Sequence, residues 1–281
     1  MKLVTQDYGC GTSSSILDYG IEDVVIVSPT NYEHVFDVDD DLFFIGHDFL
    51  FFLWDTQEKL NRWQSHKHRK AVWCFERIDA IVPSWKEKSE YSLSILKKFV
   101  DEVYVCDEDD ATKYGNWLPQ WGSCVFFDRR NDPITKNKLL FSGQAGKPEY
   151  AERTRLLKEI IEDKDLSGSL DIANFTREYS WENYTANLLS YSAILNPLGI
   201  LRGFNTRAYE VLYSGRLLLQ QTAGKYIKHE DLIRGLPNVI TFQDLKDMKS
   251  KLGDFEYADS QEFYLNNNIF ARFKSIGVDI K

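Results

Sequence analysis

The chain has 281 residues, 43% hydrophobic and 14% aromatic, with a net charge of −9. That length and apolar content predict one large or two modest folded domains with an ample core, and exclude a disordered chain. No apolar run approaches a membrane span, and the opening MKLVTQDYGCGTSSS has no secretory h-region, so a cytoplasmic protein is expected.

The first half opens on Lys2-Leu3-Val4, followed by a Gly/Ser/Thr loop over Gly9–Ser15. Apolar runs follow at Asp23–Val27, Asp41–Ile45, Ala71–Phe75 and Glu102–Cys106. They are short, rich in Val, Ile and Phe, and bounded by polar residues, the pattern of buried parallel strands. Helical patterns lie between them, at Thr56–His68 and Ser84–Phe99. The polar stretch Asp128–Lys138, with Pro133, reads as a linker, so the domains are drawn as 1–133 and 134–281. The second half repeats the rhythm. Strands are predicted at Lys138–Ser142, Leu170–Ala173, Ala193–Asn196, Arg216–Leu219 and Val239–Thr241. Helices are predicted at Pro148–Glu162, Trp181–Leu189, Thr206–Tyr213, Phe242–Leu252 and Ser260–Ser275. Strand–helix alternation in both halves predicts an α/β chain of two doubly wound domains. Cys10, Cys74, Cys106 and Cys124 form no C-x-x-C pair; they argue against a zinc ribbon or disulfide framework and read as reduced, mostly buried thiols.

The most informative stretch is Leu195–Gln221, LNPLGILRGFNTRAYEVLYSGRLLLQQ. It reads as strand, Gly-broken loop, helix, strand, with Arg207 and Glu210 three apart on one helix face. A helix N-terminus and an arginine can hold a diphosphate, and a carboxylate one turn on can accept from two ribose hydroxyls. The bland alternative is a surface Arg–Glu helix pair.

Asn205, Arg207, Tyr209, Glu210 and Gly215 fall in register with the Asn-x-Arg-x-aromatic-Glu…Gly motif of GT-B glycosyltransferases of the group named after the spore-maturation protein CgeB, and the segment resembles that motif. The helix TREYSWENYTANLLSYSAILN, the strand and helix from Leu139 and the segment from Phe99 resemble the same group more diffusely; the first 60 residues match poorly. The resemblance implies a GT-B-like fold, two Rossmann-like domains facing a cleft, with a UDP-sugar as donor and a hydroxyl acceptor. It implies donor contacts from Arg207 to diphosphate, from Asn205 and Thr206 at the helix start, from Glu210 to ribose and from Gly203 through close backbone approach. Lys147, in the loop after Ser142, is a further phosphate contact or a solvated turn lysine. Arg153 matches a family position but equally caps or pairs on its own helix. Retaining relatives carry a second glutamate eight positions before the ribose-binding one; here that position is Arg202, which leaves the stereochemistry open.

For the catalytic base the candidates are Asp7, after the first strand, and His47, after the strand ending near Gly46; Asp48 and Glu76 follow strands in the same way. Each is equally a local loop or capping residue. Asp37-Val38-Asp39 and Asp107-Glu108-Asp109 have the form of a divalent-ion motif. Acidic runs are usually solvated faces and GT-B enzymes handle diphosphate without one, so no metal and no separate cofactor are expected. The run Arg62–Lys70 is the one dense basic stretch and reads either as a phosphate-binding surface or as the positive end of a helix. Residues 1–132 hold 14 Lys and Arg against 24 Asp and Glu, whereas 133–281 hold 20 against 19. That acidic first half opposes a polyanionic acceptor. A glycosyltransferase acting on hydroxymethylated DNA bases and a non-catalytic nucleotide-sugar-binding protein stand as alternatives.

Overall fold

The computed structural model describes residues 1–6, 16–28, 31–46, 53–74, 97–173, 180–199, 203–224, 227–252 and 259–281. The chain divides into two units, Met1–Pro119 with Arg272–Lys281, and Gln120–Ala271. The boundary drawn from sequence at 133/134 falls inside the second unit. Asp7, His47, Asp48, Glu76, Cys10 and Arg202, with most of the expected helix Ser84–Phe99, lie outside the described residues.

The first unit holds six parallel strands, β1 (Lys2–Gln6), β2 (Val24–Val27), β3 (Leu42–Ile45), β4 (Lys70–Cys74), β5 (Glu102–Val105) and β6 (Asn116–Trp117), in the order β2-β1-β3-β4-β5-β6. Leu42–Ile45 is fully buried, as expected of a central parallel strand covered on both faces. Helix α1 (Gln57–Ser65) starts at Thr56, whose side chain accepts from the Lys59 amide, and ends three residues before the predicted His68. Trp63 on α1 is buried and donates its indole N–H to the Phe99 carbonyl at 2.7 Å. A short helix, α2 (Glu108–Ala111), follows β5. The C-terminal residues close this unit: Phe273 packs edge-on against Phe43 with centroids 4.7 Å apart, and Lys281 accepts from the Glu22 amide.

The second unit begins with α3 (Val125–Asp128) and holds β7 (Lys136–Ser142), α4 (Ala151–Glu162), β8 (Leu170–Ala173), α5 (Trp181–Ser190), β9 (Tyr191–Asn196), α6 (Thr206–Tyr213), β10 (Leu217–Gln221), α7 (Ile227–Ile233), β11 (Val239–Phe242), α8 (Leu245–Lys251), α9 (Gln261–Asn267) and the start of α10 (Ile269–Ser275). Its five strands are parallel in the order β11-β10-β9-β7-β8. Strand parity builds two cores. Leu140, Ile194 and Leu218 face α5 and α6; Phe141, Ala193, Leu195, Leu217 and Leu219 face α4 and α8. The predicted helix Ser260–Ser275 is two helices, broken at Asn268, whose side chain accepts from the Ala271 amide. Arg216 is 2% exposed and donates to the carbonyls of Arg130, Asp132, Leu189 and Ser214, which fastens the 130–132 segment beneath the sheet.

Both units therefore share one doubly wound order, 2-1-3-4-5 with a sixth strand in the first. In such sheets the order reverses between the first and third strands, and the strand ends there open a crevice where ligands bind. In the second unit those strands are β7 and β9. In the first they are β1 and β3, the two strands that Asp7 and His47 follow in sequence.

Candidate functional site: two arginines at the strand ends

The site is built on the loops that leave β7 and β9. After Ser142 the chain turns through Gly143, at φ +156°, and Gly146, at φ +85°, then enters α4. Arg153 sits on α4 in the same stripe as Leu156, Leu157 and Ile160, and is buried with them at 6% exposure. Its Nη1 donates to the Gln144 carbonyl at 2.8 Å, and its Nε is buried without a hydrogen-bond partner. A Cβ at Gly199, in the loop after β9, would lie 2.2 Å from Arg153 Nη2, so glycine there makes room for the guanidinium. Arg207, on the first turn of α6, donates from Nη1 to Asn196 Oδ1 at 3.2 Å. Its Nε is likewise buried and unpartnered, and its Nη2 lies against Gly143, 2.7 Å from where a Cβ would stand.

Both guanidinium carbons stand 5.6 Å from the centroid of the Phe141 ring, and that of Arg153 stands 4.7 Å from Tyr150. Among the described residues neither arginine forms an ion pair. Burial first, and the Arg207 charge second, lower Arg153 from 12.5 to about 10, with Tyr150 opposing. Two cations near one another, one of them buried, are unfavourable unless an anion joins them. The arrangement can therefore bind an oxyanion between the two guanidinium groups. Its floor is rigid: Asn196 donates to Gln220 Oε1 at 2.7 Å, and Gln221 Oε1 accepts from the Leu198 amide at 3.0 Å.

The other expected donor residues are placed as follows. Asn205 caps α6 through the Ala208 amide at 3.3 Å and donates to Asn196 Oδ1 at 3.2 Å. Thr206 Oγ1 donates to Gln120 Oε1 at 3.0 Å. Close approach at Gly203 is with the His229 ring, which a Cβ would meet at 2.6 Å. Lys147 is exposed, on the same loop as Gly143, with Nζ 3.2 Å from Gln144 Oε1. Glu210 is 2% exposed, and its Oε2 accepts from the Tyr184 hydroxyl at 2.5 Å. The structure thus brings Arg207, Gly143, Asn196 and Arg153 together and points the Glu210 carboxylate at Tyr184.

In the first unit the run 62–70 is tied to acids. Arg62 pairs with Glu33 at 3.2 Å and Asp37 at 3.3 Å, His68 meets Asp39 at 2.7 Å, and Arg69 meets Glu102 at 2.6 Å. Lys70 donates to the His66 and His68 carbonyls. Asp107 caps α2 through the Asp109 amide. Among the described residues no group of three or more His, Cys, Asp or Glu is placed to hold a metal ion, and no helix is long and apolar enough to cross a membrane. Cys74, Cys106 and Cys124 are buried and form no disulfide.

Two parallel doubly wound α/β units in one chain define a GT-B-like fold, and solved structures agree. HepE from Anabaena, in complex with UDP, superposes with a TM-score of 0.56 at 8% identity over 99% of this chain and 98% of that one. A UDP-forming α,α-trehalose-phosphate synthase from Burkholderia xenovorans gives 0.61 at 10% identity, again over 99% and 98%. HepE in complex with UDP-glucose gives 0.51 at 8% identity over 95% and 89%. No protein-family model and no curated protein matches the sequence.

Proposed function

We propose that this chain is a glycosyltransferase that moves a sugar from a nucleotide-sugar donor, of the UDP type, to a hydroxyl acceptor. The observation that carries the reading is the pair Arg153 and Arg207, a buried guanidinium and its neighbour at the β7–β9 crevice, which form no ion pair among the described residues. A diphosphate supplies the missing charge, and the same two groups stabilise it as it departs from the sugar. The UDP and UDP-glucose named for HepE support that class of donor. The register of Asn205, Arg207, Tyr209, Glu210 and Gly215 further supports membership of the CgeB-like group.

In this reading Lys147 reaches the outer phosphate from the loop beyond Gly143, and Asn205 and Thr206 set the start of α6 rather than touch the donor. Asp7 and His47 are proposed as the base that takes the proton of the acceptor hydroxyl, on their chain positions after β1 and β3. A small-molecule or glycan acceptor fits better than DNA, because Arg62, His68 and Arg69 already pair with acids. Calorimetry with UDP, GDP and ADP, followed by turnover of labelled nucleotide sugars, tests the reading. Binding of a nucleoside diphosphate together with sugar transfer supports it. Binding without turnover over a broad acceptor panel favours the nucleotide-sugar-binding protein. No binding at millimolar concentration overturns it.

A further inference from the structure

Three buried amide side chains, Asn196, Gln220 and Gln221, close the carboxyl ends of β9 and β10. Asn196 and Gln220 are register partners on the two strands, each 1% exposed. An amide has a donor end and an acceptor end, so a chain of amides has a direction. Here a main-chain carbonyl, which can only accept, sets it. Gln220 donates its Nε2 to the Gln221 carbonyl at 2.7 Å. Its Oε1 is thereby turned to Asn196 and accepts from Asn196 Nδ2 at 2.7 Å. Asn196 Oδ1 then faces α6, where it accepts from Asn205 Nδ2 and from Arg207 Nη1, both at 3.2 Å. Asn205 has committed its own oxygen to the Ala208 amide and can offer only its Nδ2. Both ends of the chain therefore demand the same orientation of Asn196. Gln221 is anchored in turn, accepting from the Leu198 amide and donating to the Gln243 carbonyl.

We propose that Asn196 is a positioning residue whose amide oxygen, aimed by Gln220, holds Arg207 at the strand ends for a ligand phosphate without cancelling its charge. This rests on the donor reading above and deepens it. The physical logic is the choice of acceptor. A carboxylate at this place would hold the guanidinium at least as firmly, but as an ion pair it would neutralise the cation that a phosphate needs. An amide oxygen fixes the direction of Nη1 and leaves the charge in place. The bond on Nη1 sets Nη2 against Gly143, on the side of the β7 loop. The Tyr184 hydroxyl, which approaches Arg207 from α5, is also uncharged. Without the Asn196 oxygen the guanidinium is left to the Tyr184 side and loses its seat at the end of β9. Gln220 touches neither Arg207 nor the phosphate position; it acts by keeping the Asn196 amide the right way round.

The test is calorimetry of UDP and uridine with variants of the whole chain. Asn196→Asp keeps the shape and puts a carboxylate on Arg207; it should weaken UDP by about tenfold or more and leave uridine unchanged. Asn196→Leu removes the acceptor without adding charge and should weaken UDP severalfold. Gln220→Met, which takes away the partner of Asn196 Nδ2, should do the same. A cycle with Arg207→Ala separates positioning from direct contact. Because Asn196 acts through Arg207, adding Asn196→Leu to Arg207→Ala should cost little further UDP affinity. The proposal is overturned if Asn196→Asp binds UDP as the wild type does, or if the two losses add in the double variant. It is also overturned if uridine weakens as much as UDP, which would make Asn196 a residue of the fold. Far-UV circular dichroism checks each variant, and should one of the two Asn196 variants not fold, the other decides. Failure of the wild type to bind UDP would overturn the donor reading, and this proposal with it.

Discussion

The chain carries two concentrations of positive charge, and they differ in what neutralises them. In the run 62–70, Arg62, His68 and Arg69 each lie beside a carboxylate, and Lys70 caps carbonyls. At the β7–β9 crevice, Arg153 and Arg207 meet a backbone carbonyl, an amide oxygen, aromatic faces and, near Arg207, the Tyr184 hydroxyl, and form no ion pair among the described residues. Sequence density of charge marks the first region; incomplete neutralisation in a buried place marks the second. A matched cation is structural and exposed pairs contribute little, whereas an unmatched buried cation is costly to the free protein and is explained by a ligand. The comparison teaches that a cation's value as a functional marker depends on the company it keeps.

The largest expected effect separates the regions directly. Arg153→Met should remove UDP binding, by tenfold or more, yet raise the thermal stability of the free protein by an amount on the order of 1 kcal/mol, because it deletes a buried unpaired charge and keeps most of the volume. Scanning calorimetry with and without UDP reads both effects. Loss of stability in the free protein would mean that Arg153 is a structural residue. Arg207→Ala should weaken UDP comparably and uridine little, at about 1.5–3 kcal/mol for a lost charge-assisted bond; equal losses for both ligands would refute its assignment to phosphate.

A smaller effect is expected from Gly199→Ala. The new methyl meets the end of a flexible side chain, Arg153 Nη2, so the fold should survive while the guanidinium shifts. UDP affinity should fall severalfold with the melting temperature nearly unchanged. An unchanged affinity would show that Arg153 need not sit against Gly199.

The pH dependence has a defined sign. Arg153 is held at about 10 in the folded chain, below the 12.5 of a free guanidinium. The unfolded chain therefore keeps a proton between those values that the folded chain loses. The penalty of this cation on the free fold is complete below pH 10 and is relieved as pH rises through that window. A bound diphosphate favours the charged form, so wild-type UDP affinity should decline above about pH 10 by more than that of Arg153→Met. Parallel profiles for the two proteins would remove the arginine from the site.

The smallest effect belongs to the other region. Arg62→Ala together with Lys67→Ala should alter stability by no more than about 1 kcal/mol and leave sugar transfer and its salt dependence unchanged. A steep salt slope that falls by roughly two units in this variant would instead indicate nucleic-acid phosphate contacts, and with them a DNA acceptor.

Much of this was legible in the sequence. Strand and helix alternation gave both doubly wound units, and Leu170–Ala173 and Thr206–Tyr213 have their predicted ends. The short α7 was not legible: it carries buried His229 and little apolar periodicity. At the candidate site the motif singled out Arg207, and the contacts its neighbours make were not legible. Asn205 is the kind of residue that caps helices, and capping is what it does. Gly203 is small for His229, a partner 26 positions away in the chain and so invisible to local reading. Arg153 had a usable signature: it opens the stripe Arg153, Leu156, Leu157, Ile160, and an arginine in register with a buried face needs a reason to be there. Glu210 accepts from Tyr184, which arrives from another helix, whereas spacing on α6 alone pointed to Arg207.

The central claim is that two incompletely neutralised arginines at the β7–β9 strand ends form the seat of a nucleoside diphosphate. Titration calorimetry of UDP into the wild type and Arg153→Met, with uridine as the control ligand, tests it most directly. The account predicts measurable UDP binding to the wild type, a loss of tenfold or more in the variant, and equal weak binding of uridine to both. Wild-type affinity for UDP in Arg153→Met would contradict it.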